Sequence, residues 1–371
     1  MNASNNKLLF IINTPSQAHT WRHVIEGLLT NGFDVNILAR EYGDTPKLLR
    51  SFGFPYTTFK PVGSKFWRLL AIANHFQTCY RIARDIRPSL IIGFGLDAAV
   101  VGFMLGKPSV AFFDDEHTVW QNKMTSLLAT RVITPDTFQK TLGKKHIRMK
   151  GYKELAYLHP AYFAPDATIF DDLKIGRHEP YVILRFNLLD AIHDIGKHGL
   201  SVSSQIDLVK KFEKHAHVFV SPEGSLPKEL ERYRLQIPYD RIHHALYYAN
   251  LLVSNSCTMT TEAAILGTPA VRIHPIVGRN VDPMIFSELE QRYGLIYSFR
   301  NTGDAVQKAI ELVSKPGLKE EWAEKRKILL NDKIEPTNFL LLFIEHSLDG
   351  TSEKLQLGQV ASKLFSPRDG K

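Results

Sequence analysis

Short apolar runs alternate with stretches of helical spacing along most of the chain. Lys7–Asn13 is one such run, long enough for a buried strand and too short for a helix. Ala18–Thr30 follows with Trp21, Val24, Ile25, Leu28 and Leu29 on one helical face, and Gly32 closes it. The pattern then predicts a strand at Asp34–Ala39, a helix at Asp44–Phe52 and a strand at Pro55–Phe59. A long helix at Lys65–Ile86 and strands at Leu90–Phe94, Ser109–Phe113 and Arg131–Thr134 complete the first series. A second alternation starts near Pro180: strand Tyr181–Phe186, helix Gln205–Lys214, strand His217–Ser221, helix Tyr239–Ala249 and strand Leu251–Asn255. A helix from Thr258, a strand at Pro269–Ile273, a strand at Leu295–Phe299 and a helix at Asp304–Ser314 continue it, before helices at Leu318–Leu330 and Thr337–Ser347. Strand-then-helix order of this kind predicts parallel sheets covered by helices on both faces.

A length of 371 residues suits two domains, since roughly 150 residues per domain is a fair prior. The expected division is 1–165, 175–335, a helix at 336–348 that returns to the first domain, and a mobile tail at 349–371. Leu158–Glu179, with Pro160, Pro165 and Gly176, reads as the link. The fold class expected is α/β, as two doubly wound parallel sheets facing a cleft at the carboxyl ends of their strands, where such sheets bind ligands.

Composition narrows the function classes. Cys79 and Cys257 are the two cysteines, and no Cys/His spacing of a metal site surrounds either; this predicts neither a disulfide framework nor a bound metal, and a reducing cytoplasm. No basic leader with a long apolar run opens the sequence, and no apolar run approaches the ~20 residues of a membrane span. The net charge of +8 comes from 46 Lys and Arg scattered among 38 acids. Without a basic stripe or motif, nucleic acid is not the expected partner; a diphosphate cleft or peripheral contact with anionic lipid accounts for the sign.

The stretch Leu251–Pro275 carries the most chemistry. A strand runs into a polar loop, and a helix begins beneath it, whose free amides and partial positive charge suit a phosphate. Ser256, Thr258, Thr260 and Thr261 add hydroxyls, and Glu262 is a carboxylate for ribose hydroxyls. The plainer alternative is that Ser256 or Thr258 caps the helix and Glu262 completes the cap. In the first half, Asp114, Asp115, Glu116 and His117 stand in a row after a strand and could supply a general base, with a solvated loop and helix cap as the alternative. Gln17 and His19 follow the first strand, where they could touch an acceptor or sugar. Arg185, with Asp190, His193 and Asp194 beyond it, follows the first strand of the second series; Arg185 could pair with phosphate oxygens, and Glu223 could border the base.

Strand, small polar residues, then E-A-x-x-x-G-x-P resembles the nucleotide-binding segment of GT-B enzymes, UDP-N-acetylglucosamine 2-epimerases and MurG-type transferases above all. That resemblance implies diphosphate contact at Ser256 and ribose binding at Glu262. It also makes Asp97 and Asp114 (or Asp115) counterparts of two epimerase acids. The third position, near Thr118 or Val119, is not acidic, and the epimerases' N-terminal R-P-E is replaced by Asn13–Gln17. As a whole, NTPSQAHTWRHVI, FDDEHTVWQN, KGYKELAYLHP, LRFNLLDAIHD and SPEGSLP resemble an archaeal and bacterial family of unassigned function with GT-B architecture. The expectation is a cytoplasmic GT-B glycosyltransferase of polysaccharide biosynthesis. Its donor would be a nucleotide-sugar, its acceptor undetermined (a lipid-linked one among the options), and no cofactor would be needed; oligomerisation stays open. The alternatives are a UDP-sugar 2-epimerase or hydrolase, or a non-catalytic nucleotide-sugar-binding protein.

Overall fold

The computed structural model describes residues 6–60, 68–186, 202–222 and 225–348. Contacts divide the chain into two compact units, one of Met1–Tyr157 with Ile334–Lys371 and one of Leu158–Lys333.

The first unit contains a seven-stranded sheet. Its strands are β1 Lys7–Ile12, β2 Asp34–Arg40, β3 Thr57–Phe59, β4 Leu90–Phe94, β5 Ser109–Phe112, β6 Arg131–Pro135 and β7 His146–Met149. They lie in the order β3-β2-β1-β4-β5-β6-β7, and every pairing is parallel. β1 is buried from Leu8 onward because helices cover both its faces. After it, Thr14 caps the helix Pro15–Thr30 by accepting a hydrogen bond from the Gln17 amide at 3.4 Å, with Pro15 in the first turn. Trp21, Val24, Ile25 and Leu28 turn inward from that helix.

The last described helix, Pro336–Leu348, packs on the same helix through Phe339, Leu340, Phe343 and Ile344. Gly27 lets the two come close, because a Cβ there would meet the Leu341 side chain at 2.8 Å. Thr337 donates to the Ala156 carbonyl at 2.9 Å, and Asn31 donates to Glu345 at 2.7 Å.

The second unit contains a five-stranded sheet of β8 Tyr181–Phe186, β9 His217–Pro222, β10 Leu251–Ser254, β11 Ala270–Ile273 and β12 Ile296–Phe299. Its order is β12-β11-β10-β8-β9, again all parallel. Both sheets therefore have doubly wound, Rossmann-like order, and the chain is of the α/β class.

Several elements escaped the sequence pattern, a helix and a strand of the first unit among them. Ala98–Leu105 is apolar on nearly every side and shows no period, yet Leu96–Leu105 is a helix between β4 and β5. β7 has the mixed sequence His-Ile-Arg-Met and owes its strand to pairing with β6. The stretch expected as one helix at Tyr239–Ala249 is a 3-10 turn, Tyr239–Arg241, followed by an α-helix at Ile242–Tyr248. The expected loop residues Asp190, His193, Asp194 and Glu223, the helix start at residues 65–67 and the tail at 349–371 lie outside the described residues.

Candidate functional site

In a doubly wound sheet, ligands bind at the carboxyl ends of the two strands between which the winding reverses. In the second unit these strands are β8 and β10. Arg185 and Ser254 sit opposite each other at their ends. The Arg185 guanidinium leans toward β9, where Nη1 donates to Ser221 Oγ at 3.0 Å and to the Pro222 carbonyl at 3.3 Å.

Beyond Ser254 the chain turns at once into the helix Cys257–Leu266. The Ser256 amide donates to Ser254 Oγ at 2.8 Å, and Ser256 Oγ accepts from the Met259 amide at 3.5 Å, so Ser256 is the N-cap. Thr258 is half-buried in the first turn. Thr260 and Thr261 are buried and donate to the carbonyls of Ser256 and Cys257, at 2.7 Å and 3.2 Å. Their hydroxyl hydrogens are thus engaged inside the helix.

Glu262 lies past the first turn of the helix and meets a histidine. It is buried, and its Oε1 lies 3.1 Å from Nε2 of His243, itself buried on the helix Ile242–Tyr248. A buried carboxylate needs such a partner, because removing one member of a buried pair costs about 3–5 kcal/mol. Gly267, with φ of +76°, ends the helix in a left-handed cap.

In the first unit the winding reverses between β1 and β4. Asn13, just past β1, donates from Nδ2 to Asp97 Oδ2 at 2.6 Å. Asp97 stands in the first turn of the helix after β4, and its Oδ1 is 3.0 Å from His75 Nε2 on the helix Arg68–Ile86. Phe59 and Phe76 pack around the His75 ring. Gln17 accepts from the Asn13 amide at 2.8 Å. Asn13 Oδ1 and Ser16 Oγ are buried atoms with no hydrogen-bond partner among the described residues. A histidine fixed by a carboxylate is the arrangement of a base with its orienting group.

The acidic row after β5 is dispersed among structural roles. Asp114 forms an ion pair with Lys153, and Lys153 also reaches Glu154 at 3.3 Å. Burial alone would lower the Lys153 ammonium, but the Asp114 and Glu154 carboxylates outweigh it and hold it well above the usual lysine range. Asp115 accepts from the His117 amide at 2.8 Å, and buried Glu116 accepts from the Gln139 amide at 2.8 Å. Thr118, not an acid, occupies the N-cap position before Val119. His19 is buried between Tyr157, on which it stacks at 5.2 Å, and the edge of Phe52. No group of three or more His, Cys, Asp or Glu is arranged to hold a metal among the described residues. His75, Lys153 and His243 were not singled out by the sequence, although KGYKELAYLHP contained Lys153 as part of a family segment.

The model of the family described as protein of unknown function (DUF354) matches residues 8–332. The chain belongs to the DUF354 family. This DUF354 protein is 23% identical over 280 residues to MJ0665, an uncharacterised protein of Methanocaldococcus jannaschii, covering 71% of this chain and 80% of that one. Its fold is similar to that of S. aureus MnaA in a co-structure with UDP, with a TM-score of 0.68 at 11% identity, over 93% of this chain and 97% of the other. It is also similar to MurG of Acinetobacter baumannii, with a TM-score of 0.55 at 15% identity, over 91% and 99% of the two chains.

Proposed function

We propose that this DUF354 protein is an enzyme that binds a UDP-sugar and transfers the sugar to an acceptor. The observation that carries the reading is the second winding reversal, where Arg185 and Ser254 are paired and the Ser256-capped helix with buried Glu262 follows directly. The helix N-terminus and Arg185 offer partial and full positive charge to a diphosphate, and both would act on the charge that develops as UDP leaves. Glu262, an acceptor of hydrogen bonds, suits the vicinal hydroxyls of ribose. The fold shared with MnaA, whose co-structure contains UDP, supports the same choice of nucleotide.

In the first unit, Asp97 with His75 is the acid–base pair best arranged to take a proton from an acceptor hydroxyl. Asn13 Oδ1 and Ser16 Oγ are further polar atoms for sugar or acceptor hydroxyls. Asp114 is less well placed for that role, because its carboxylate is already engaged by Lys153.

Thermal unfolding with a panel of nucleotides and nucleotide-sugars tests the reading. A ligand at 100 times its Kd adds about 2.7 kcal/mol, enough to move a melting curve. Stabilisation by UDP and one UDP-sugar, lost in Glu262→Ala, is the expected result; no shift with any nucleotide would overturn the reading. Asp97 is also the counterpart of an epimerase acid, which favours 2-epimerase or hydrolase chemistry as the second reading. Turnover of the stabilising UDP-sugar without any acceptor would select it.

A further inference from the structure

The helices Leu96–Leu105 and Val119–Leu128 form consecutive right-handed crossovers on one face of the first sheet, and they pack against each other. Their inner sides are buried through Ala98, Ala99, Val101 and Gly102 on one and Asn122 and Thr125 on the other. Their outer sides hold large apolar groups in water. Phe103 is 66% exposed, Trp120 68% and Leu127 67%, and Met104 and Val119 are exposed beside them. Trp120 and Leu127 lie on one stripe of the second helix, with exposed Lys123 between them.

Beyond the first turns of the two helices the charges are cations, while Asp97 stands in the first turn of the first helix and exposed Asp115 just before the second. Between Asp97 and Asp114 the sole Lys, Arg, Asp or Glu is Lys107; between Glu116 and Asp136 there are Lys123 and Arg131 alone. Lys107 is exposed just past the end of the first helix. Lys145 donates to the carbonyls of Leu127 and Ala129, at 3.1 Å and 3.0 Å, which puts a cation on the last turn of the second. The two helices thus present tryptophan, phenylalanine and leucine rimmed by cations. A second copy of this chain seated on the same face about a two-fold axis would bring the same cationic rim against itself.

We infer that this face docks on the surface of an anionic phospholipid bilayer. Trp120, Phe103 and Leu127 enter the headgroup level, where an indole ring is favoured, while Lys107, Lys123 and Lys145 stay beside the phosphates. No helix among the described residues is long and apolar enough to cross a membrane, so the attachment is peripheral. The inference stands apart from the nucleotide site and needs none of its residues.

Sedimentation of the full chain with vesicles tests it, using phosphatidylcholine alone and an equal mixture of phosphatidylcholine and phosphatidylglycerol. The protein is expected to sediment with the mixed vesicles, less so as salt rises, and little with the neutral ones. Changing Phe103, Trp120 and Leu127 to Ser should weaken binding about tenfold or more, given what burial of such side chains contributes. Lys107→Glu with Lys123→Glu should remove the preference for the anionic lipid. All five positions are exposed, so these variants keep the wild-type melting curve. Sedimentation with neither vesicle, or binding untouched by both sets of changes, overturns the inference. So does a dimer in sedimentation equilibrium that the Ser variant dissociates, since the face would then belong to a second copy.

Discussion

The two winding reversals of this DUF354 protein are built differently. In the second unit, one continuous stretch from Ser254 to Glu262 supplies the polar groups, and His243, from outside it, braces Glu262. In the first unit, Asn13, His75 and Asp97 come from three separate elements, and Asn13 and Asp97 are 84 positions apart. A site carried on one strand-to-helix turn keeps its geometry when its surroundings shift. A site assembled from distant elements depends on the packing of the whole sheet.

The largest effect expected to sharpen this contrast is on turnover. Asp97→Asn should lower kcat by about 10²–10⁴-fold, the usual worth of an acid–base group, while leaving UDP binding and the melting curve nearly unchanged. A variant that keeps full turnover would remove the first unit's reversal from the chemistry.

Next in size is Lys153→Met. It leaves Asp114 and Glu154 without their shared cation and should destabilise by about 3–5 kcal/mol, read by denaturant unfolding. Less than about 1 kcal/mol would mean the pair behaves as an ordinary surface bridge.

His243→Ala is a finer test of the second unit. If His243 orients Glu262 toward a ribose, affinity for UDP should fall about tenfold, the scale of a hydrogen bond to a charged group. Affinity for 2′-deoxy-UDP should fall less, and His243→Asn should restore part of the difference. Equal losses for both nucleotides would reduce His243 to a packing residue.

The smallest effect concerns pH. His146 accepts from the Leu142 amide at 3.3 Å through Nδ1 and lies 2.8 Å from Thr134 Oγ1 through Nε2. Burial, helped by Arg148, pulls its pKa down to about 4 from an ordinary 6.5. A histidine depressed in the folded state favours folding at pH above 6.5, and that contribution is lost as pH falls toward 4. The melting temperature should decline across this interval, and less steeply in His146→Gln.

The same contrast explains what could be read before the fold was known. Periodicity gave the alternation of strands and helices, since β1 and β10 are short apolar runs bounded by turns. The strand-to-helix turn capped by Ser256 was legible because its parts are consecutive, and a resemblance to GT-B enzymes is what suggested a nucleotide there. The His75–Asp97 and Asp114–Lys153 pairs were not, because no local pattern says which nitrogen-bearing side chain meets which carboxylate across 22 or 39 positions. The acids after β5 looked like a cluster in sequence, but their side chains bond in different directions: Asp114 to Lys153, Asp115 to the His117 amide and Glu116 to the Gln139 amide. Thr260 and Thr261 looked like phosphate donors because sequence does not reveal that a buried hydroxyl will bond back to its own helix.

The closing helix Pro336–Leu348 has a consequence for how the molecule is born. Phe339, Leu340, Phe343 and Ile344 belong to the core around β1, yet the ribosome makes them after the whole of Leu158–Lys333. At about 5–20 residues per second, the helix Pro15–Thr30 waits on the order of ten seconds or more for its cover. The second unit, continuous in sequence, has all its strands before that cover arrives. The order of completion therefore reverses the order of synthesis, and the first unit's open flank is the place where a chaperone would find apolar surface during translation.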